Sequence, residues 1–379
     1  MTDPLRLQTA RLVNWLREDA IPLWQSRGID SRTGASVERL LADGRVDEEA
    51  PLRLRVQARQ AYFFAAAGQQ GWCAHGSQIA RGILDFAHTY ARHPQAGGGF
   101  VHLLDTQGGV LDSKQDLYDH AFCLLAYAWS YRVTGDRESL QAAHRLMHHL
   151  DTRFASSHGG WQEGDYAYPC RRQNPHMHLF EAFLALYEAS GEAVWLRRAQ
   201  QVFDLFQTYF YRPQEQVLLE FFTEDWTPLM ETSGYAVEPG HMFEWVWLLD
   251  WFQRLSGQSV SAYLLKLYHR ALALGLTREG LVRDVVTPTG EVLQSSKRCW
   301  GLTEYIKANV VAARLGEPEA EQRAAAGVDA LFHYYLSTPT AGSYVDRLGA
   351  NDEVIDAYAP ASALYHLMAL AQALVRHQG

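Results

Sequence analysis

Cysteine is scarce in this chain of 379 residues. The four cysteines, Cys73, Cys123, Cys170 and Cys299, lie far apart and form no C-x-x-C pair. Zinc ribbons and disulfide frameworks need cysteines at close, regular spacings, so neither is indicated. The first residues also lack the basic region, apolar run and small-residue cleavage site of a secretory signal peptide. These absences predict a reduced, cytoplasmic protein.

Long hydrophobic runs and dense basic clusters are missing as well. No apolar stretch reaches the roughly 18 residues of a membrane-spanning helix. The formal net charge is -9 at pH 7, whereas nucleic-acid binding needs clustered lysine and arginine. The usual nucleotide-binding and serine-hydrolase motifs do not occur. We therefore expect neither a membrane nor a nucleic-acid partner, whereas a homodimer stays open.

Helical periodicity dominates what is present. Hydrophobic residues make up 47% of the chain and charged residues 20%, as is typical of a folded globular protein. Twelve segments place apolar residues at three- and four-residue intervals and end near turn residues, mostly glycine. These predicted helices span residues 5–28, 52–69, 72–92, 114–134, 137–154, 175–190, 193–210, 239–255, 260–276, 300–315, 317–336 and 360–376.

Twelve helices in six pairs predict one all-α domain, residues 1–379, folded as an (α/α)6 barrel. A closed ring buries six inner helices equally, so we expect the even-numbered segments inside and the odd-numbered ones outside. Longer connections with glycine, tryptophan and short strand-like runs precede the inner helices. They predict short hairpins over one mouth of the barrel, where long loops on a rigid scaffold commonly build a site.

Six polar motifs recur about every sixty residues along the inner segments. The steps are 60, 59, 63, 63 and 62 residues between Arg59, Asp119, His178, His241, Glu304 and His366. Such a period is typical of repeated supersecondary units. The motifs are Arg59; Tyr118 with His120; Asn174 with His178; His241 with Glu244; Trp300 with Glu304; and Tyr365 with His366. If each unit supplies one inner helix, the six motifs converge on one cavity.

Histidine and arginine in these motifs are the candidates for chemistry. His241 stands at a helix start, and Glu244, one turn later, is placed to orient its imidazole. His366 and Arg59 stand among apolar residues, where each needs a polar partner or a ligand. A lone histidine in such a place is more often structural, but the recurrence favours a function.

The segment around residue 178 bears on metal binding. Asn174, His178 and Glu181 fall on one helical face. His176 lies two residues from His178, on a different side of the helix, so the pair is a poor zinc ligand set. We expect no metal site.

Together the motifs resemble the N-acylglucosamine 2-epimerase family, which includes mannose isomerases and cellobiose 2-epimerases. The matching segments keep their order over nearly the whole chain, and the (α/α)6 fold of that family agrees with the helix count. The segments are QARQAYFFA from residue 57, KQDLYDHAF from 114, NPHMHLFEA from 174, PGHMFEW from 239, WGLTEYIK from 300 and PASALYH from 360.

The resemblance implies roles for these residues. His241 and His366 become an acid/base pair, and Arg59 is placed to stabilise the charge of an enediolate. The remaining residues become contacts to sugar hydroxyls or to the histidines: Tyr118, Asn174, His178, Glu244, Trp300 and Glu304. No metal or organic cofactor is implied.

Departures from the family pattern bear on the substrate. Cys299 and Ala361 stand where the cellobiose-type pattern has tryptophans, which removes stacking surface for a second sugar ring and favours a monosaccharide. Apart from Arg59 the motifs hold no basic cluster, which disfavours a phosphorylated sugar. Exceptions to this are Arg171, Arg172 and Lys297. Three residues of a later loop stay without an assigned role: Tyr344, Asp346 and Arg347.

These observations predict proton transfer beside a sugar carbonyl. An imidazole, with its ordinary pKa of ~6.5, can take and return a proton near neutral pH. Return of the C2 proton to C1 interconverts D-mannose and D-fructose, which we favour, whereas return to the opposite face of C2 makes the protein a sugar 2-epimerase. Two other classes stay open: a glycoside hydrolase using paired carboxylates, and a non-catalytic sugar-binding protein or scaffold.

Overall fold

The computed structural model describes residues 3–94, 97–229 and 235–378. Thirteen α-helices occur within these residues, and none of them has the length and hydropathy of a transmembrane span. They are α1 Pro4–Trp15, α2 Ile21–Arg27, α3 Leu54–Gln69, α4 Gly76–Tyr90, α5 Leu117–Thr134, α6 Arg137–Arg153, α7 Gln173–Ser190, α8 Ala193–Leu205, α9 Pro239–Ser256, α10 Ser261–Gly275, α11 Cys299–Arg314, α12 Ala320–Leu331 and α13 Leu364–Gln378.

Six of these helices form a closed inner ring. Helices α3, α5, α7, α9, α11 and α13 each pack against the next, and α13 closes the ring on α3. The other helices lie outside the ring, and α1, α4, α6, α8, α10 and α12 each pack against an inner helix. A π-helical turn, Leu16–Ala20, joins α1 and α2 into one rod, so the thirteen helices correspond to the twelve predicted. The arrangement is the predicted (α/α)6 barrel.

The inner helices are buried on nearly every face. In α7, for example, every residue from 175 to 186 is buried. Helices α5, α7 and α9 each end at a glycine with φ between 68° and 73°, a left-handed conformation that a Cβ disfavours. A charged or polar side chain inside such a helix must meet a polar partner or face a cavity.

Thirteen short strands, counted over the described part of the chain, cover the mouth at the N-terminal ends of the inner helices. The pairs within one connection are the predicted hairpins: β3 Leu103–Leu104 with β4 Val110–Asp112, β6 Tyr211–Arg212 with β7 Val217–Leu218, and β9 Val285–Val286 with β10 Val292–Gln294. The pairs between connections are β1 Arg39–Leu41 with β13 Tyr358–Pro360, β2 Leu52–Arg53 with β3, β5 Arg171–Arg172 with β8 Phe221–Phe222, and β11 Lys297–Arg298 with β12 Arg347–Leu348. These longer-range pairs tie neighbouring connections together.

Several predicted helix ends differ from the structure. The segment predicted as 72–92 begins its helix at Gly76, because Trp72 and Cys73 donate their backbone N–H groups to the carbonyl of Ala67 and finish the end of α3. The segments predicted as 193–210 and 317–336 end in π-helical turns, Phe206–Phe210 and Phe332–Leu336.

Candidate active site

The N-terminal ends of the six inner helices surround a cavity of about 340 Å³. Its walls are mostly charged, imidazole and aromatic side chains. Eight of the nine predicted site residues line it: Arg59, Tyr118, Asn174, His178, His241, Glu244, Trp300 and His366. The ninth, Glu304, is fully buried and accepts a hydrogen bond from His366. The repeat therefore brings the motifs to one place.

The wall residues are arranged in layers. The rim consists of the residues that directly precede helices α3, α5, α7, α9 and α11: Arg53, Asp116, Arg172, Glu238 and Arg298. Two positions further along the chain stand Arg55, Tyr118, Asn174 and Trp300. Six positions beyond the rim stand Arg59, His178, Glu244 and Glu304. A helix rises 1.5 Å per residue, so this deep layer lies ~9 Å below the rim.

Three imidazoles in this site are each held by a buried carboxylate. The Nδ1–H groups donate as follows: His178 to Glu181 at 3.1 Å, His241 to Glu220 at 3.0 Å, and His366 to Glu304 at 2.7 Å. A carboxylate on Nδ1 fixes the tautomer and leaves Nε2 as the nitrogen that meets a ligand. Groups with ligand atoms close enough to share a metal ion, within 4.8 Å, are His178–Glu181–Glu244, Glu220–Glu238–His241 and Glu244–Glu304–His366. In each group the imidazole already uses Nδ1 for a carboxylate.

His366 and its carboxylate partner, Glu304, lie next to a buried cation, Lys307. The Glu304 carboxylate that accepts from His366 has its other oxygen 2.7 Å from Nζ of Lys307. Lys307 is fully buried, with Nζ 4.0 Å from the ring centre of Trp247. Burial, and then the positive charges of Arg59 and Lys307, hold the pKa of His366 well below its usual value. His366 is therefore neutral near pH 7.

His241 has the opposite charge state. The prediction that Glu244 orients this imidazole is wrong, because the partner of its Nδ1 is Glu220, in the two-residue link between β7 and β8. Burial opposes a charge on His241, but the carboxylates of Glu220 and Glu238 outweigh it and raise the pKa of the imidazole to about 9. His241 is therefore protonated near pH 7.

Trp300 lies beside both imidazoles. Its ring centre is 5.1 Å from that of His241 and 5.5 Å from that of His366. Gly240 allows this position, because a Cβ at that residue would come within 2.6 Å of the indole. A protonated and a neutral imidazole thus face one cavity, and the ring of Trp300 lies beside both.

Arg59 is a cation held mainly by aromatic rings. It is 8% exposed, and its Nη2 donates to the hydroxyl of Tyr118 at 2.6 Å. The guanidinium carbon lies 4.1 Å from the ring centre of Phe122 and 5.2 Å from that of Tyr365. Within the described residues no carboxylate approaches it to 4.0 Å, and its Nε has no hydrogen-bond partner. A buried charge in this state favours an anionic ligand.

Two carboxyl groups of the cavity are more readily protonated than usual. Burial, and then the negative charge of Glu304, raises the pKa of Glu244 well above its ordinary range. Neither Glu244 oxygen has a hydrogen-bond partner in the part of the chain that the structure describes. Burial raises the pKa of Asp346 to about 6. Glu244 is thus placed to donate a hydrogen bond to a ligand.

Two other histidines of the motif segments are structural. His120 and His176 each donate through Nδ1 to the backbone carbonyl four residues earlier. Each accepts a backbone N–H at Nε2, that of Phe100 for His120 and that of Trp161 for His176. They brace the connections that precede their helices.

The main site residues that the sequence did not reveal are Arg53, Arg55 and Arg298, whereas Arg172 is among the exceptions named from the sequence. Arg53, Arg55, Arg172 and Arg298 line the cavity together with Arg59, so the expectation of no basic cluster is wrong. The arginines of different helices stand more than a hundred residues apart and meet only through the ring. A usable signal was the position of three of them, each one residue before an inner helix.

The remaining residues singled out in the sequence divide between cavity and scaffold. Of the unassigned loop residues, only Asp346 lines the cavity. The Tyr344 hydroxyl donates to a backbone carbonyl, and Arg347 pairs with a carboxylate outside the cavity. Arg171 lies 3.6 Å over the ring of a tryptophan, and Lys297 pairs with an aspartate, so neither reaches the site.

Comparison with known proteins agrees with this geometry. The family model described as N-acylglucosamine 2-epimerase (GlcNAc 2-epimerase) matches residues 35–370. A protein of Rhizobium meliloti (strain 1021) named mannose-6-phosphate isomerase is 34% identical over 377 residues, which is 96% of this chain and 96% of that protein. A Thermobifida fusca protein named D-mannose isomerase is 34% identical over 210 residues, 51% of this chain and 49% of that protein.

A solved structure shows the same fold. It is the cellobiose 2-epimerase from Spirochaeta thermophila DSM 6192, with a TM-score of 0.87, 21% identity, and coverage of 98% of this chain and 97% of that one. The family and the relatives are sugar isomerases and epimerases, so the protein is an enzyme of this class, and the hydrolase and scaffold alternatives are set aside. The chain belongs to the N-acylglucosamine 2-epimerase family.

Proposed function

We propose that the protein is an aldose–ketose isomerase that interconverts D-mannose, or a related aldohexose, and D-fructose. The observation that carries the proposal is the pair of imidazoles beside Trp300, one neutral and one protonated. Two titratable groups whose surroundings push their pKa values apart are suited to act as base and acid at one pH. His366 is the base and His241 the acid.

The reaction follows from these two charge states. His241 first assists opening of the sugar ring by moving a proton between O1 and O5. Nε2 of His366 then takes the proton from C2, the C2–H electrons form the C1–C2 double bond, and O1 receives a proton from His241. In the resulting cis-enediol, O2 loses its proton to His241 as His366 returns the carbon-bound proton to C1. The product is the 2-ketose, and both imidazoles are back in their starting states.

Two further groups support the intermediate. Arg59 faces the cavity without a carboxylate partner in the described residues, so its guanidinium is available to the negative charge that develops on O1 and O2. The protonated carboxyl of Glu244 can donate to a sugar hydroxyl. Proton transfer between imidazole and carbon needs no metal, and the proposal includes none.

The residues at two positions near the cavity support a monosaccharide substrate. Cys299 is fully buried and lies outside the cavity wall, and Ala361 is buried too, so neither position offers a ring for a second sugar. Both relatives above are named for a mannose-type substrate, one with and one without a phosphate at C6. The chemistry at C1 and C2 is the same for both.

A 2-epimerase is the second candidate, because the same residues serve if the proton returns to the opposite face of C2. Incubation of D-mannose with the enzyme in D2O, followed by NMR, separates the two. We expect fructose that carries deuterium at C1. Glucose as the exclusive product would overturn the isomerase in favour of the epimerase, and recovery of unchanged mannose would count against both for this sugar.

The charge state of His241 gives a prediction about pH. Because the protonated imidazole is the active form, kcat/KM should fall as pH rises through its pKa of about 9. The variant Glu220→Gln removes the nearer of the two acidic partners and leaves Glu238 at 3.8 Å. The pKa of His241 should then drop toward the ordinary ~6.5, and the alkaline limb should move to lower pH.

The measurement is a pH–rate profile of mannose isomerisation for both proteins. Glu224→Gln changes an exposed glutamate of the same connection and should leave the profile as it is. An alkaline limb that stays in place in Glu220→Gln would show that Glu220 does not set the charge of His241.

A further inference from the structure

Three rim arginines are held by the same arrangement. In each, one carboxylate accepts both the backbone N–H and the Nε–H of the arginine. The pairs are Arg53 with Glu38, Arg172 with Glu163, and Arg298 with Asp284. The carboxylates do not line the cavity, whereas the arginines do. The arrangement fixes each guanidinium at the cavity wall, and Nη2 of Arg53 also pairs with Glu38.

Arg172 is the one of the three whose Nη groups make no hydrogen bond to a carboxylate in the described residues. Its Nε donates to Glu163 at 2.6 Å, but its buried Nη2 has no hydrogen-bond partner in the described residues. The nearest other acid is Asp116, at 3.8 Å. That carboxylate already accepts hydrogen bonds from the hydroxyl of Tyr166 and from the backbone N–H of Asp119. Arg298, in contrast, also donates from Nη2 to a second carboxylate.

Arg55 presents a second guanidinium on the same side of the cavity. Its Nη1 donates to Asp119 at 3.0 Å, and Asp119 is shared with His102 at 2.6 Å. Within the described residues, Nε and Nη2 of Arg55 make no hydrogen bond. Helices α3, α5 and α7 are neighbours in the ring, so Arg55 and Arg172 face the cavity from the two flanks of Tyr118.

The two sides of the cavity therefore differ in charge. The side formed by α3, α5 and α7 presents four arginines to the cavity and one carboxylate, that of Asp116. The side formed by α9, α11 and α13 holds both reacting imidazoles, and the other lining carboxylates, Glu238, Glu244 and Asp346, belong to α9 and to the connection before α13. A hexose with C1 and C2 at the imidazoles and Arg59 has its far end toward the outer arginines of the basic side, Arg55 and Arg172.

We propose that Arg55 and Arg172 form a subsite for a phosphate-class anion carried at C6 of the hexose. Guanidinium groups bind phosphate oxygens through paired N–H donors, and two of them facing one cavity from either side of Tyr118 suit a dianion. The inference rests on the proposed function for the orientation of the sugar. It reverses the expectation from the sequence that a phosphorylated sugar is disfavoured.

The test compares D-mannose with D-mannose 6-phosphate on the full-length enzyme and on Arg172→Gln. We expect kcat/KM of the wild type to be higher for the phosphate ester, and the ratio of the two values to fall about 10- to 100-fold in the variant, as for loss of one charge-assisted hydrogen bond. Arg172→Lys keeps the charge but not the paired donors, so its ratio should lie between those of the wild type and Arg172→Gln. Arg45→Gln, an exposed arginine outside the cavity, is the matched control and should keep the wild-type ratio.

Other outcomes separate this inference from the proposed function. If mannose is isomerised but mannose 6-phosphate is neither a substrate nor a competitive inhibitor, the subsite is refuted and the isomerase stands. If neither sugar is converted, the isomerase fails, and calorimetry with mannose 6-phosphate still decides the subsite by whether Arg172→Gln weakens binding. Should Arg172→Gln not fold, by circular dichroism, Arg172→Lys supplies the comparison, and an unchanged ratio there refutes the subsite.

Discussion

Replacement of His366 by asparagine is expected to lower kcat for mannose isomerisation by about 10²- to 10⁴-fold, the range for loss of a proton-transferring side chain. The asparagine amide can still donate to Glu304, so the buried carboxylate keeps a partner and the helix its packing. What the variant loses is a neutral imidazole nitrogen that can accept the C2 proton. KM should change little, because the lost interaction is made in the transition state.

Steady-state kinetics and proton exchange together check this prediction. The wild type incubated with fructose in D2O should exchange a C1 proton with solvent, and His366→Asn should lose this exchange by the same factor as kcat. His144→Asn replaces an exposed histidine that also binds a carboxylate, far from the cavity, and should behave as the wild type. Near-wild-type exchange in His366→Asn would assign the base to another residue.

The deep layer of the site could be predicted from the sequence for a physical reason. His366 and Glu304 stand inside helices whose buried residues are mostly apolar, where an ionisable side chain is conspicuous. Their sixty-residue repeat reflects the ring itself, since each repeat contributes one inner helix. The fold and the deep layer follow from that one periodicity.

The partners of these residues were harder to predict. Glu220 lies in a short link between two-residue strands, where no periodicity marks it, yet it sets the charge of His241. Glu244 looked like the partner because it shares a helix face with His241, but a closer acid reaches the imidazole from a different connection. Arg172 and Arg298 precede their helices and so fall outside the helical pattern. Contacts between connections depend on strand pairing, which such short strands do not show in the sequence.

Replacement of Arg59 by methionine is expected to lower kcat/KM for mannose by about 10²- to 10³-fold, as when a well-placed donor to a developing oxyanion is removed. The same change should leave the free energy of unfolding equal or higher. Methionine can pack against Phe122 and Tyr365, and the variant no longer buries a charge that lacks a carboxylate partner in the described residues. Activity and thermal stability should therefore move in opposite directions, which separates a catalytic role from a folding defect.

Kinetics with mannose and with mannose 6-phosphate distinguish the role of Arg59 from that of Arg172. Because Arg59 stands in the deep layer, its loss should reduce kcat/KM for mannose and for mannose 6-phosphate by the same factor, whereas Arg172→Gln should change their ratio. Arg45→Gln, a change at an exposed arginine outside the cavity, serves again as the control. If Arg59→Met reduces activity toward the phosphate ester alone, Arg59 belongs to the anion subsite. The enediolate charge must then be stabilised by another donor of the cavity, and the protonated carboxyl of Glu244 is the best placed.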